Sequence, residues 1–215
     1  MSAITLTDMS GESVPVTGAF PMLYNASGTM DLEASEAWVS AHAEAVQSTL
    51  AQCGALVFRG FGLASDADFD RFIQAFSWPN FTYAESLSNA VRRNRTPRVF
   101  TANEAPPDVQ IYLHHEMAQT PVYPSRLFFF CEQPANGGGA TPICRSDWLL
   151  ERLHKVVPNF VDDCANKGVR YSQTMPAQDD LASGQGRSWR STLSADDKAA
   201  AETKLAQLGY TWRWQ

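Results

Sequence analysis

Apolar residues at helical spacing predict two helices in the first third of the chain. Over residues 35–53 apolar side chains recur near that spacing, and Gly54 follows as a stop signal. Further along, Ser65 with Asp68 three residues later has the form of a capping box. Behind this box one predicted helix face carries four apolar side chains: Phe69, Phe72, Ile73 and Phe76. We expect this aromatic stripe to pack in a core.

Short apolar runs predict strands, and most of them lie in the middle of the chain. Residues 1–34 contain many turn formers and are typical of loops with short strands. Later strands are expected over residues 55–61, 109–117, 126–132, 140–144 and 167–174, with a last one beginning at Tyr210. Strands in the middle and helices on the flanks favour a mainly β fold, an antiparallel core with packed helices.

Two further helices are expected in the second half of the chain. Ser146 caps one that runs to about residue 157, before Pro158. Ser194, with Asp197 three residues on, opens the other, which Gly209 closes. The polar residues 176–193 between them are expected to form an exposed excursion.

Charge and composition exclude several classes of protein. The net charge is −6, so the chain is a poor nucleic-acid binder, and the basic cluster at residues 92–95 is expected to be a solvated loop. The start lacks the features of a signal peptide, and no apolar run reaches the roughly 18 residues of a membrane helix. The four cysteines lack CxxC spacing, so we expect a cytoplasmic enzyme with reduced thiols.

The stretch VQIYLHHEM, residues 109–117, carries the candidate chemistry. On a strand, alternate side chains share a face, so His114 and Glu116 would emerge from the same side. An imidazole and a carboxylate are two of the ligands of a 2-His-1-carboxylate iron site. An HxE motif by itself is only a weak indication of metal binding, since most such residues are ordinary polar groups.

The surrounding residues strengthen that indication. The segment LHHEMAQTPVYPSRLFFFCEQPANGGGATPI resembles the taurine dioxygenase and clavaminate synthase-like family. It has, in the family's order, an HxE motif, a proline-containing stretch, an apolar strand and a Gly-Gly turn that leads to a threonine. The similarity covers roughly residues 50–215. The resemblance implies a double-stranded β-helix (jelly-roll) core that is incomplete in this chain.

The same resemblance implies an Fe(II)- and 2-oxoglutarate-dependent dioxygenase that uses O₂. By position, His114 and Glu116 match two iron ligands, and Thr141 matches the threonine that binds a carboxylate oxygen of 2-oxoglutarate. The implied substrate is a small polar or amino-acid-like molecule, free or tethered to a carrier. Asn103 and Glu104 are candidate substrate contacts, although their types equally suit a turn.

The family's third iron ligand is a downstream histidine, followed by an arginine that pairs with 2-oxoglutarate. Neither His42 nor His154 matches it, since both fall in predicted helices. We therefore expect residues 1–215 to form a single domain that lacks the C-terminal part of the core, as a truncated, fragmentary or degenerate member of the family.

Two alternatives stay open. The chain could be a non-catalytic member that binds a partner or small molecule, as the missing histidine favours. It could also be a metal hydrolase that uses His114, His115 and Glu116, although adjacent residues on a strand point apart. For His115 we expect a satisfied histidine packed behind the site.

Overall fold

The computed structural model describes residues 3–81, 87–88, 90, 92–102, 109–180 and 186–215. The chain forms two compact units. Met1–Pro79 and Phe128–Val156 make up the first unit, and Asn80–Leu127 and Val157–Gln215 make up the second. The interpretation of residues 1–215 as a single dioxygenase domain stays a prediction.

A small mixed sheet lies in the first unit. Its strands are β1 (Ile4–Thr7), β2 (Met22–Ala26) and β3 (Leu56–Arg59), in the order β1-β2-β3. β1 pairs antiparallel with β2, and β2 pairs parallel with β3. The short N-terminal strands and the strand within residues 55–61 are therefore confirmed.

The long helix α1 (Leu32–Cys53) makes the crossover that a parallel pair of strands requires. Its N-cap is Asp31, whose side chain accepts a hydrogen bond of 2.7 Å from the backbone N–H of Ala34. It ends at Gly54, which has a left-handed backbone with φ 84°. The expected helix and its stop are confirmed. Because Asp31 is the N-cap, the helix begins at Leu32, three residues before the predicted start.

The helix α2 (Asp66–Gln74) begins with one of the two hydrogen bonds of the predicted capping box, and the side chain of Asp68 reaches the residue before the N-cap instead of Ser65. The Ser65 hydroxyl accepts from the N–H of Asp68 at 3.2 Å, and the Asp68 carboxylate accepts from the N–H of Ala64 at 3.0 Å. The predicted aromatic stripe is confirmed as core. The core cluster of the first unit consists of Tyr24, Ala26, Met30, Val39, Val46, Phe61, Phe72 and Phe76.

The first unit also contains α3 (Ser146–Val156), at the position expected from the sequence. The second unit contains α4 (Pro158–Lys167), α5 (Trp189–Leu193) and α6 (Lys198–Gln207). In the described part of the chain, none of the helices has the length and apolar character that crossing a membrane requires. All four cysteines are free thiols.

Five predicted strands are wrong. Residues 109–117, 126–132, 140–144, 167–174 and 210–214 are all described, and none of them lies in a strand. Apolar patterns indicate a preference for extended backbone, but a strand also needs a neighbour that completes its backbone hydrogen bonds. Near residue 167, the chain instead ends a helix that Pro158 begins and Gly168 follows.

Helices therefore outnumber strands among the described residues, with six α-helices and three strands. The expected mainly β architecture is not met in that part of the chain. The jelly-roll core stays a prediction.

The second unit has its own small core around two tryptophans. Trp189 and Trp214 meet edge to face, with ring centroids 5.1 Å apart. Leu87, Leu193 and Ala201 are buried with Trp189, and Trp214 is partly buried against this cluster. The expectation of an exposed excursion over residues 176–193 is wrong for its last part, because α5 places Trp189 and Leu193 inside this core.

The helix α6 begins later than expected. Its N-cap is Asp197, whose side chain accepts from the N–H of Ala200 at 2.8 Å. The predicted start at Ser194 is wrong, because Ser194 adopts a left-handed backbone (φ 49°) and ends α5. Gly209 follows the helix end as expected, with φ 75°.

Candidate metal centre

A tight turn fixes the backbone that follows the HxE motif. Met117 is buried and adopts a left-handed backbone with φ 60°, which is uncommon for a residue with a side chain. The N–H of Thr120 donates to the Met117 carbonyl at 3.0 Å, and the Thr120 hydroxyl donates to the Val122 carbonyl at 2.6 Å. The turn therefore anchors the chain directly after Glu116.

His114 and Glu116 face each other, with Nε2 of the imidazole 4.0 Å from Oε2 of the carboxylate. The other ring nitrogen, Nδ1, lies 2.6 Å from the carbonyl oxygen of Tyr112. A carbonyl can only accept, so Nδ1 carries the proton in the neutral ring and Nε2 keeps its lone pair. The lone pair thus lies on the nitrogen that is nearer to Glu116.

The spacing of these two donors can be compared with that of two metal ligands. Protein nitrogen and oxygen donors lie roughly 2.1 Å from a first-row divalent ion, so donors at right angles are about 3 Å apart. The observed 4.0 Å separation is wider than this by about 1 Å, a gap that a small change in the side-chain torsions of Glu116 would close. The pair therefore fits two adjacent positions around such an ion.

The site is open on the histidine side and more enclosed on the glutamate side. The His114 side chain is 57% exposed and that of Glu116 is 22% exposed. Among the described residues no group of three or more His, Cys, Asp and Glu is arranged to hold a metal ion. The hydrolase arrangement of His114, His115 and Glu116 is therefore not formed.

Arg92 is a partner of the site that sequence reasoning missed. Its Nη2 lies 3.3 Å from Oε1 of Glu116, and its side chain is only 14% exposed. The expected solvated loop is correct for Arg93, Asn94 and Arg95, which are exposed, and wrong for Arg92. The sequence signal was the basic cluster itself, which does not indicate which of its members turns inward.

His115 is exposed, so the interpretation of a histidine packed behind the site is wrong. Packing behind the site required a strand with one buried apolar face. No strand forms here, and Ile111 and Leu113, which would share that face, are exposed as well.

Thr141 lies in the first unit, whereas His114 and Glu116 lie in the second. It is exposed and follows the expected glycine turn, in which Gly138 and Gly139 have φ values of 67° and 68°. Its assignment to 2-oxoglutarate stays a prediction. Asn103 and Glu104, the candidate substrate contacts, lie outside the described residues.

The two remaining histidines lie on helices, as expected. His42 is exposed on α1, where its ring stacks on Trp38 and Nδ1 lies 2.7 Å from the Trp38 carbonyl. His154 is exposed in the last turn of α3.

Comparison with known proteins decides the family. Residues 12–203 match the Taurine catabolism dioxygenase TauD, TfdA family. The chain belongs to this family. It is 40% identical over 169 residues to a clavaminate synthase-like protein of Arabidopsis thaliana, an alignment that covers 79% of this chain and 51% of the relative.

A second relative is the dapdiamide synthesis protein DdaC of Enterobacter agglomerans. It is 28% identical over 169 residues, which cover 79% of this chain and 48% of the relative. The chain thus spans about half the length of the curated relatives it matches.

Proposed function

We propose that this chain contributes to the active site of an Fe(II)- and 2-oxoglutarate-dependent dioxygenase that hydroxylates a small polar or amino-acid-like substrate. One observation carries the proposal. In a member of a dioxygenase family, the Nε2 lone pair of His114 and a carboxylate oxygen of Glu116 lie 4.0 Å apart. Imidazole and carboxylate are the donor types of the facial iron site.

His114 and Glu116 would hold the iron through Nε2 and one carboxylate oxygen. The Tyr112 carbonyl keeps the proton on Nδ1 and fixes the ring orientation, as hydrogen bonds to metal-binding histidines commonly do. Bound iron, with 2-oxoglutarate as cosubstrate, would supply the O₂ activation needed to oxidise an unactivated C–H bond. The exposed edge of His114 would leave room for these small molecules.

Thr141 would donate its hydroxyl hydrogen to a carboxylate oxygen of 2-oxoglutarate. Its exposed side chain leaves that hydroxyl available. Asn103 and Glu104 would contact the substrate. The name of DdaC assigns that relative to dapdiamide synthesis, and by extension we propose a biosynthetic substrate here, free or tethered to a carrier.

The test measures Fe(II) and 2-oxoglutarate binding without O₂, by the visible absorption of the complex, and then succinate formation after O₂ is added. We expect His114→Ala and Glu116→Ala to abolish both signals, because each change removes a donor to the iron.

His115→Ala is the matched control, since it removes an adjacent, exposed imidazole. We expect this variant to keep most of the turnover. Equal loss in all three variants would contradict the assignment of the ligands.

One alternative has a specific observation behind it. Among the described residues no third His, Cys, Asp or Glu joins His114 and Glu116 in a metal-binding group, and a non-catalytic member that binds a small molecule or a partner would need none. Tight Fe(II) binding with a 2-oxoglutarate-dependent absorption band would exclude this alternative, and its absence would support it.

A further inference from the structure

The segment around Arg92 is a hairpin-like loop with a fixed backbone. Two backbone hydrogen bonds close it, from the N–H of Thr101 to the Arg93 carbonyl at 2.9 Å and from the N–H of Arg95 to the Val99 carbonyl at 2.8 Å. Together they place Asn94 opposite Phe100. At its tip the Thr96 hydroxyl oxygen accepts from the N–H of Val99 at 3.0 Å, and Val99 is buried. The backbone next to Arg92 is therefore fixed by hydrogen bonds and by burial.

The Arg92 side chain is held within this loop as well. Its Nη1 lies 3.4 Å from the carbonyl oxygen of Thr101, and its guanidinium carbon lies 5.5 Å from the centre of the Phe100 ring. Both contacts come from the returning arm of the loop, and the aromatic one is within the range of a cation–π interaction. The guanidinium thus reaches Glu116 from an ordered position.

The two oxygens of Glu116 have different neighbours. Oε1 lies 3.3 Å from Nη2 of Arg92, while Oε2 faces Nε2 of His114 at 4.0 Å. A glutamate side chain has several rotatable bonds, and an unheld carboxylate would sample many orientations. Because Arg92 donates to Oε1, the carboxylate is held and Oε2 points in a defined direction.

We propose that Arg92 is a positioning residue of the metal centre, which holds Oε1 of Glu116 so that Oε2 is presented towards the ligand nitrogen of His114. This inference rests on the proposed function, because it requires that His114 and Glu116 bind the metal. Arg92 acts through Glu116 and does not itself touch the metal.

Two opposing effects of Arg92 make the proposal testable. Its positive charge repels a nearby cation, so charge alone predicts that removing it would strengthen metal binding. Its contact with the Glu116 carboxylate orients a metal ligand, so a positioning role predicts that removing Arg92 would weaken metal binding. Outer hydrogen-bond partners of metal ligands typically contribute about 10- to 100-fold in affinity, and we expect positioning to dominate.

The experiment is a titration of the purified protein with Co(II), an air-stable substitute for Fe(II), followed by calorimetry and by the visible ligand-field spectrum. We expect Arg92→Gln to raise the dissociation constant for Co(II) by about 10- to 100-fold and to alter the spectrum. Arg93→Gln is the matched control, because it removes the same charge from the adjacent, exposed residue. It should leave both readouts unchanged.

A second variant guards against unfolding. Arg92→Met also removes the guanidinium but keeps an apolar contact with Phe100, and it should weaken Co(II) binding as Arg92→Gln does. If the role of Arg92 were merely structural, both substitutions would lower the melting temperature of the metal-free protein and leave the Co(II) spectrum unchanged. That result would overturn the proposal.

The outcomes separate this inference from the proposed function. If the parent protein binds no Co(II), the proposed function fails. If the parent binds Co(II) and the Arg92 variants bind it equally or more tightly, the function stands and the positioning role is wrong.

Discussion

Gly62 occupies a position where any other amino acid would require the neighbouring backbone to shift. Its φ is +66°, and a Cβ at this position would overlap the carbonyl oxygen of Met30. We expect Gly62→Ala to lower the free energy of unfolding by more than about 2 kcal/mol, because left-handed strain and steric overlap add together. The midpoint of urea unfolding measures this loss.

Gly11 provides the control for that prediction. Its φ is +93°, but nothing lies within 4 Å of the position that a Cβ would take. Gly11→Ala should therefore show only the left-handed strain, about 1 kcal/mol. If the two variants lost the same stability, the contact with Met30 would not matter.

For single residues of the site, the sequence predicted the two candidate ligands but not the residues that contact them. His114 and Glu116 were paired by the alternation of an expected strand, and they do face each other, although the strand does not form. Arg92 lies 24 positions before Glu116, so its contact depends on how the loop folds back. No local pattern carries that information.

Among the elements, residues 127–130 show strand-like alternation without a strand. Within the first unit, Phe128 packs against Phe76, with ring centroids 5.5 Å apart, and Phe130 stacks on Phe69 at 5.2 Å. Phe129 between them is 72% exposed. The apolar run that suggested a strand therefore does bury alternate side chains, and only the backbone pairing is missing.

This alternation gives the next prediction. Phe128→Ala should cost about 2 kcal/mol of unfolding free energy, less than the loss of a fully buried phenylalanine because its ring is only partly buried. Phe129→Ala should change stability by less than about 0.5 kcal/mol, because an exposed side chain has little packing to lose. Chemical denaturation of both variants tests this, and similar losses would refute the assignment of the two faces.

Helix ends were predictable where the capping hydrogen bonds are local. Ser65 and Asp68 lie three residues apart, so the sequence alone placed the hydrogen bond from the N–H of Asp68 to the Ser65 hydroxyl. Ser194 and Asp197 have the same spacing, but here Asp197 caps a helix and Ser194 ends the previous one. That earlier helix carries the buried Trp189 and Leu193, and only the tertiary structure decides that they are buried.

For the whole molecule, the balance between charge and exposed apolar surface governs association. The net charge is −6 at pH 7, and the calculated isoelectric point is about 5.2. Several large apolar side chains are more than half exposed: Tyr112, Leu113, Phe129, Phe160, Val169 and Tyr171. Exposed apolar side chains promote association, and net charge opposes it.

We therefore expect self-association to be greatest near pH 5.2 and to fall as the pH rises to about 8, where negative charge separates the molecules. Static light scattering across this range measures the effect. Added salt at the higher pH should restore association by screening the charge. Scattering that does not depend on pH or salt would show that charge does not limit association.

The sequence by itself determined the features whose interactions are local. It placed α1, α2 and α3, the glycine stops and the HxE pair, because caps, helical faces and near neighbours involve residues a few positions apart. The tertiary structure alone decided which extended segments pair into strands, that His115 is exposed, and that Arg92 reaches Glu116. Strand pairing and burial depend on residues distant in the sequence. A local pattern indicates a preference for extended backbone, but it does not identify the segment that would pair with it.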